Sequence, residues 1–296
     1  MTAVAEPVAV AEAGPVGSQR GARIRRTIAY ALLISYALLM FIPFAWSVST
    51  SLKTLPEAVQ FTPIPRQLTF EGYTIAWTQL DPALPRLFLN SFIIAGAVTI
   101  LNLVLDSLGG YAFARLRFPG REFLFVLVLA TLMIPDQLRV VPVYTILVNM
   151  GLFGRGIPAY AGLILILAVS ATGLFLMRQY FLSIPRDLEE AARMDGAGFL
   201  RTYWSVILPL AGPALAAVAI LQFQGTWNSL FWPVILIREP DLYTLPLALS
   251  QFQELYTTQW NALMAVVVLA TLPIVILYVF FQRYFVEGIA ASGVKG

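Results

Sequence analysis

A run of 36 residues without a single charge, Thr202 to Ile237, constrains this chain more than any other feature. Thr27 to Leu52 and Leu255 to Gln282 are uncharged in the same way. Uncharged apolar segments of about 18 residues or more read as membrane spans, because a helix satisfies its own backbone where no water can. As one helix, Thr202 to Ile237 would be roughly 54 Å long, well beyond the ~30 Å of hydrocarbon in a bilayer. The run therefore divides. A span over about Val206 to Gly225 is expected, followed by a remainder, Thr226 to Ile237, that contains Asn228 and Pro233 and is too short to cross. That remainder suits a re-entrant or interfacial piece packed against protein. Charged residues make up 12% of the chain, about half the roughly 25% of a soluble domain. A bilayer protein is the class that fits.

The same criterion gives five more spans: Ile28 to Val48, Leu87 to about Phe113, Phe123 to about Tyr144, Ile157 to about Tyr180, and Asn261 to Phe281. The first is too long for the apolar core of a secretory signal and lacks a small-x-small cleavage site behind it. Ser49 to Arg86 and Arg238 to Glu254 are polar, proline-bearing loops, the former with a short amphipathic helix around Glu71 to Leu80. Residues 1–27 are expected as a disordered cytoplasmic tail, 28–285 as the membrane domain and 286–296 as a second cytoplasmic tail. An even number of spans puts both termini on one side. Placing the N-terminal tail, the 114–122 turn, the 178–203 loop and the C-terminus inside assigns thirteen Lys or Arg to that side and six to the other, which accounts for all nineteen. Basic residues favour the cytoplasmic side, so the orientation is N-in, C-in.

Histidine and cysteine are absent, which removes thiol nucleophiles, imidazole bases and the usual zinc ligands. Neither lysine, Lys53 nor Lys295, follows a glycine, so there is no Walker A loop and any ATP is used by another chain. No catalytic residue and no metal site is expected on this chain. The net charge of +3 reflects topology and carries no argument for nucleic-acid binding.

The most informative stretch runs Pro185-Arg-Asp-Leu-Glu-Glu-Ala-Ala-Arg-Met-Asp-Gly-Ala-Gly and continues to Val206-Ile-Leu-Pro209. Pro185 suits the start of a helix, and Asp187, Glu189 and Glu190 place negative charge near its positive end. Glu189 and Arg193 stand at i,i+4 and can pair. Leu188, Ala191 and Ala192 share one face with room for close approach by a partner, and Gly196 supplies the left-handed residue that ends the helix. On physics alone this reads first as an ordinary amphipathic connector between two spans, ahead of a docking element.

The spacing Glu190-Ala191-Ala192, three residues, Gly196, nine residues, Val206-x-Leu208-Pro209 resembles the EAA signature of binding-protein-dependent ABC permeases, with Val206 where the family prefers isoleucine. Asp195-Gly196-Ala197 matches its common form. Thr226-Trp227-Asn228, the Leu245-Pro246 loop and the ending from Gln282 to Ile289 are similar to the smaller, G-type subunit of the maltose-type sugar permeases. The resemblance covers about Ile28 to Gly296. It implies a type I importer permease of six helices in a bacterial cytoplasmic (inner) membrane, moving a sugar. It further implies a homologous F-type permease, two ATPase subunits that hold ATP and Mg, and an extracytoplasmic sugar-binding protein as partners, with no cofactor on this chain. The loop over about 183–205 would then be the coupling element, and Glu190, Ala191, Ala192, Asp195 and Gly196 its ATPase-coupling residues.

Groups for a solute path are sparser. Gln222, Gln224, Trp227 and Asn228 near the end of the fifth span offer amides for sugar hydroxyls and a ring for sugar C–H faces; an interfacial aromatic belt is the competing reading for the tryptophans. Asp136 with Arg139 is a pathway candidate or a self-neutralised pair. Asp106 stands inside a span, where a carboxylate is costly; a bond to the partner permease and a substrate role are both open for it. The alternatives are an ABC permease for another polar solute and a stand-alone secondary transporter, though no inverted repeat is visible. A membrane enzyme finds no cluster of catalytic groups.

Overall fold

The protein, seen in a computed structural model, is described over residues 19–255 and 259–293. Of the expected tails, residues 1–18 and 294–296 lie outside the described residues, while 19–27 and 286–293 are the helical ends of α1 and α15. α1 (Gln19–Ser51) leads into a loop carrying α2 (Leu55–Ala58) and α3 (Glu71–Thr78), and then α4 (Leu84–Arg115). α5 (Arg121–Ala130), prolonged by one 3-10 turn, is followed by α6 (Asp136–Asn149), α7 (Gly156–Leu167) and α8 (Ala171–Ser183). The next segment holds α9 (Asp187–Met194) and α10 (Phe199–Thr202), which passes through a π-helical turn, Tyr203–Ile207, into α11 (Leu208–Leu210). α12 (Gly212–Trp227), α13 (Phe231–Leu236), α14 (Leu245–Leu255) and α15 (Trp260–Gly293) complete the order.

α1, α4 and α15 are each long and apolar enough to cross a bilayer. Three further crossings are broken: α5 with α6 turns by 106°, α7 with α8 by 45°, and α10–α11 with α12 by 79°. Counting each bent pair as one crossing gives six. The breaks have local causes. Ile134, with φ −93° and ψ 110°, precedes Pro135, and the residue before a proline is pushed out of the helical region. The third span expected over Phe123 to about Tyr144 is therefore a broken one: its first helix ends at Met133 and the chain turns sharply into α6. Pro209 and Pro213 flank Ala211, whose ψ of 11° is off-helical, and neither proline has an N–H for the ladder. The fifth crossing is accordingly bent at Ala211, and Val206, expected as its first residue, lies in the π-helical turn before the bend.

α4 is the centre of the bundle, packed on α7, α8 and α12, while α15 packs on α1, α3 and α12. Without a hydrophobic drive inside lipid, such packing depends on close approach and on polar bonds between helices. Gly110 shows the closeness: a Cβ there would come within 2.7 Å of Met177 Cβ. At the outer end, Asn90 Nδ2 donates to Asp241 O at 2.8 Å and Tyr243 O at 2.9 Å, and Leu245 N donates to Ser91 Oγ at 2.8 Å. The Thr226–Ile237 segment finishes α12, turns, and forms the six-residue α13, whose Trp232 and Leu236 are buried against Ile94, Val98 and Leu163.

The loop after α1 is built around a buried cation. Lys53 is fully withdrawn from solvent, donates to Thr62 O, and lies 4.7 Å from the centre of the Trp46 ring. Burial lowers its pKa, and the Glu57 carboxylate acts in the opposite direction. Glu57 accepts from Arg66 N at 2.7 Å, so the outer loop is knit by its own polar groups.

Candidate functional site

α9 owes its ends to its sequence. Asp187, Glu189 and Glu190 occupy its first turn and Arg193 its last, which complements the helix dipole at both ends. Gly196 has φ +78°; its N–H donates to Arg193 O and that of Ala197 to Ala192 O, each at 2.9 Å. This paired closure with a left-handed glycine stops the helix and reverses the chain.

The helix is clamped from within. Arg115, the last residue of α4, forms an ion pair with Glu189 at 2.8 Å, and both side chains are almost wholly buried. Arg115 Nη2 also donates to Ile184 O at 2.6 Å. Ala192, one turn on from Glu189, is buried as well. Behind this clamp Tyr111, Phe181, Tyr203 and Ile207 form a buried cluster, with Tyr203 Oη 2.7 Å from Ser107 Oγ. The i,i+4 pairing expected between Glu189 and Arg193 is not formed. Glu189 is taken by Arg115, and the Arg193 guanidinium lies 5.7 Å from the centre of the Phe199 ring. The face expected to hold Leu188, Ala191 and Ala192 together is corrected too, since Ala192 points inward.

The outward face carries Leu188, Glu190, Ala191, Met194, Asp195 and Gly196, all exposed. Met194 is 88% exposed, and Phe199, Leu200 and Trp204 add further exposed apolar surface just beyond. Beside α9 opens a cavity of about 700 Å³ lined by Arg115, Arg117, Arg121, Glu122 and Arg186. An apolar ridge with an arginine-rich flank, on a helix bolted to the bundle, can transmit a push without bending.

Of the expected pathway residues, Trp227 and Asn228 line one cavity, which Gln222, Gln224 and Asp136 do not reach. Trp227 is 2% exposed, donates Nε1 to Ala270 O at 3.1 Å, and is boxed by Phe88, Phe92 and Phe223. The phenylalanines of α4 and α12 pack around the ring, and it also lines the cavity that Asn228 borders. Gln224 and Asn228 are exposed and Gln222 is half-buried. Asn228 borders a cavity of about 220 Å³ with Pro246, Leu249 and Thr271. Asp136 opens α6 and is ion-paired with Arg139, both about half-exposed. Asp106 is bonded within its own chain: Oδ1 accepts from Ser170 N at 3.0 Å. Its Oδ2 is buried with no hydrogen-bond partner among the described residues.

Arg115 was missed from sequence, where it counted only as one basic residue of a turn. Its signal was an arginine ending a span whose loop partner is rich in glutamate.

The family model described as "Binding-protein-dependent transport system inner membrane component" matches residues 106–290. The arabinooligosaccharides transport system permease protein AraQ of Bacillus subtilis is 34% identical over 275 residues, covering 93% of this chain and 96% of that protein. The sn-glycerol-3-phosphate transport system permease protein UgpE of Yersinia pestis is 36% identical over 211 residues, 70% of this chain and 73% of that one. A chain in the crystal structure of a bacterial ABC transporter involved in the import of the acidic polysaccharide alginate superposes with a TM-score of 0.77 at 26% identity, over 90% of this chain and 99% of that one.

Proposed function

The chain belongs to the family of binding-protein-dependent transport system inner membrane components, and from that premise we propose that it is one permease of an ATP-driven importer that brings a carbohydrate across a bacterial cytoplasmic membrane. The observation that carries the reading is the clamped α9, which holds its inner face rigid through Arg115 and Glu189 and presents Leu188, Ala191 and Met194 outward. Glu190, Ala191, Asp195 and Gly196 are the residues that meet the ATPase, and Ala192 seats the helix on its own bundle. Closure of two ATPase subunits on ATP and Mg pushes α9, and the bundle converts that push into alternating access. This chain performs no bond chemistry.

The remaining partners are a homologous second permease and an extracytoplasmic binding protein, which meets the 49–86 and 238–254 loops. A carbohydrate is favoured because a relative carries arabinooligosaccharides in its name and the superposed transporter imports a polysaccharide. A phosphorylated polyol is the second reading, favoured by the glycerol-3-phosphate relative. Expression with the neighbouring transport subunits tests the assembly: an ATPase and a second permease should purify with this chain in stoichiometric amounts, and a monodisperse chain that transports alone would refute it. Calorimetric titration of the binding protein with arabinooligosaccharides and with glycerol-3-phosphate separates the two solutes.

A further inference from the structure

The turn between α4 and α5 gathers more positive charge than its own carboxylates neutralise. The cavity of about 700 Å³ at this turn is lined by Arg115, Arg117, Arg121, Arg186 and Glu122. Arg115 is taken by Glu189 at 2.8 Å. Glu122 is shared between two cations, with Oε1 2.7 Å from Arg121 Nη2 and Oε2 3.0 Å from Arg178 Nη2. The ion pairs among the described residues leave the exposed Arg117 and Arg186 without a carboxylate. An adjoining hollow of about 350 Å³ adds Glu190 and Arg193, one charge of each sign, so the surplus stands. α5 also begins in this cavity, behind Gly120 at φ +78°, and no side chain caps its first N–H groups. Those groups reinforce the positive potential of the arginines. A concave cluster of guanidinium groups matches an anion with several acceptor oxygens, above all a phosphate ester.

What the cavity adjoins selects among phosphates. It lies where the crossing α4 ends and α5 begins, at the membrane face that the basic residues assign to the cytoplasm. Phe123 lines the cavity and opens a stripe with Val126, Leu127 and Ala130, at i, i+3, i+4 and i+7 of α5. All four are exposed, Phe123 at 67% and Val126 at 59%. The other side of α5 is filled: Phe125 is buried against Phe113 and Phe175, with the Arg178 guanidinium 4.0 Å from the centre of its ring. A basic hollow at a membrane face, continued along a span by an apolar stripe, fits a lipid with an anionic headgroup. We propose that Arg117, Arg121 and Arg186 bind the headgroup of an anionic phospholipid, whose acyl chains lie along Phe123, Val126 and Leu127. A free phosphate would use the arginines and leave the stripe idle, as would acidic side chains of a partner subunit. Arg186 immediately precedes α9, so the bound lipid also ties the start of that helix to the bilayer surface. The site itself does not depend on what α9 meets.

Phosphatidylglycerol and phosphatidylcholine carrying the same photoactivatable acyl chain test this in nanodiscs that hold the full complex. Mapped by peptide mass, phosphatidylglycerol should label residues 123–130 well above phosphatidylcholine. An arginine near an anionic lipid is worth about a factor of five in binding. Arg117→Gln should therefore cut the excess, and Arg117→Gln/Arg186→Gln should abolish it. Arg117→Lys/Arg186→Lys, which keeps the charge, should retain much of it. Should the glutamine pair assemble poorly, the parent still decides: unlabelled phosphatidylglycerol should chase the label and phosphatidylcholine should not. Equal labelling by the two lipids, an excess that survives in the double glutamine variant, or a label that both lipids chase equally would overturn the proposal. Loss of the excess on adding inorganic phosphate would assign the cavity to a soluble anion and overturn the lipid. Loss of the ATPase from the double glutamine variant, with the lipid excess intact, would assign the arginines to that subunit and overturn it as well.

Discussion

Arg115 and Glu189 are 74 positions apart in sequence and form a buried ion pair at 2.8 Å, joining the end of α4 to the first turn of α9. Removing one partner of such a pair leaves an uncompensated buried charge, at about 3–5 kcal/mol, whereas replacing both by apolar groups is often near neutral. Arg115→Met should therefore lower the thermal midpoint of the purified complex strongly, and Arg115→Met with Glu189→Leu should recover most of the loss. Equal losses in the single and double variants would show that the pair does not clamp α9.

Gly196 closes α9 in a left-handed conformation, φ +78°, with open space around it. Proline cannot adopt that φ, and it removes the N–H that bonds Arg193 O. Gly196→Pro should leave the spans inserted but abolish ATP-driven uptake, read as ATPase binding and transport in proteoliposomes. Glu190→Lys, a change on the exposed face, should uncouple without loss of thermal stability.

Trp227 and Asn228 are neighbours with opposite expectations. Trp227→Ala empties a buried aromatic site and should cost about 3–5 kcal/mol, seen as lower yield and midpoint for any solute. Asn228→Ala alters an exposed side chain at the rim of a cavity and should change the Michaelis constant for uptake while leaving the midpoint in place. A stable Trp227→Ala protein with altered solute preference would make the ring a pathway residue and not a packing one.

Lys53 gives the outer loop a pH signature. Its folded-state pKa is lowered by burial from the ordinary 10.5, so between the two values the unfolded chain binds more protons than the folded one. Stability then rises with pH through that window, and below it the full cost of the buried ammonium applies. Lys53→Met should flatten this rise in the midpoint between neutral and alkaline pH. An unchanged slope would mean that the ammonium is solvated.

Much of the architecture was legible in the sequence because membrane helices announce themselves by length and lack of charge. The basic residues identified the end that carries α9, and Gly196 identified where it stops. The bends at Ile134 and Ala211 were harder, since a proline in an apolar run signals a break without its angle. The partners of Glu189, Asp106 and Trp227 were not legible, because each is set by which helices lie together: Arg115 displaces the local Arg193, Ser170 takes Asp106, and Phe88 and Phe92 of α4 enclose Trp227.

The central claim is that the outward face of α9 meets an ATPase. Cysteine scanning tests it directly, because an introduced thiol is the only one on this chain. Ala191→Cys, treated with a short bifunctional reagent in the assembled complex, should cross-link to the ATPase subunit, and ATP should change the yield. Val59→Cys, exposed in the outer loop, should give no such product. A fully active complex in which Ala191→Cys never reaches the ATPase would contradict the account.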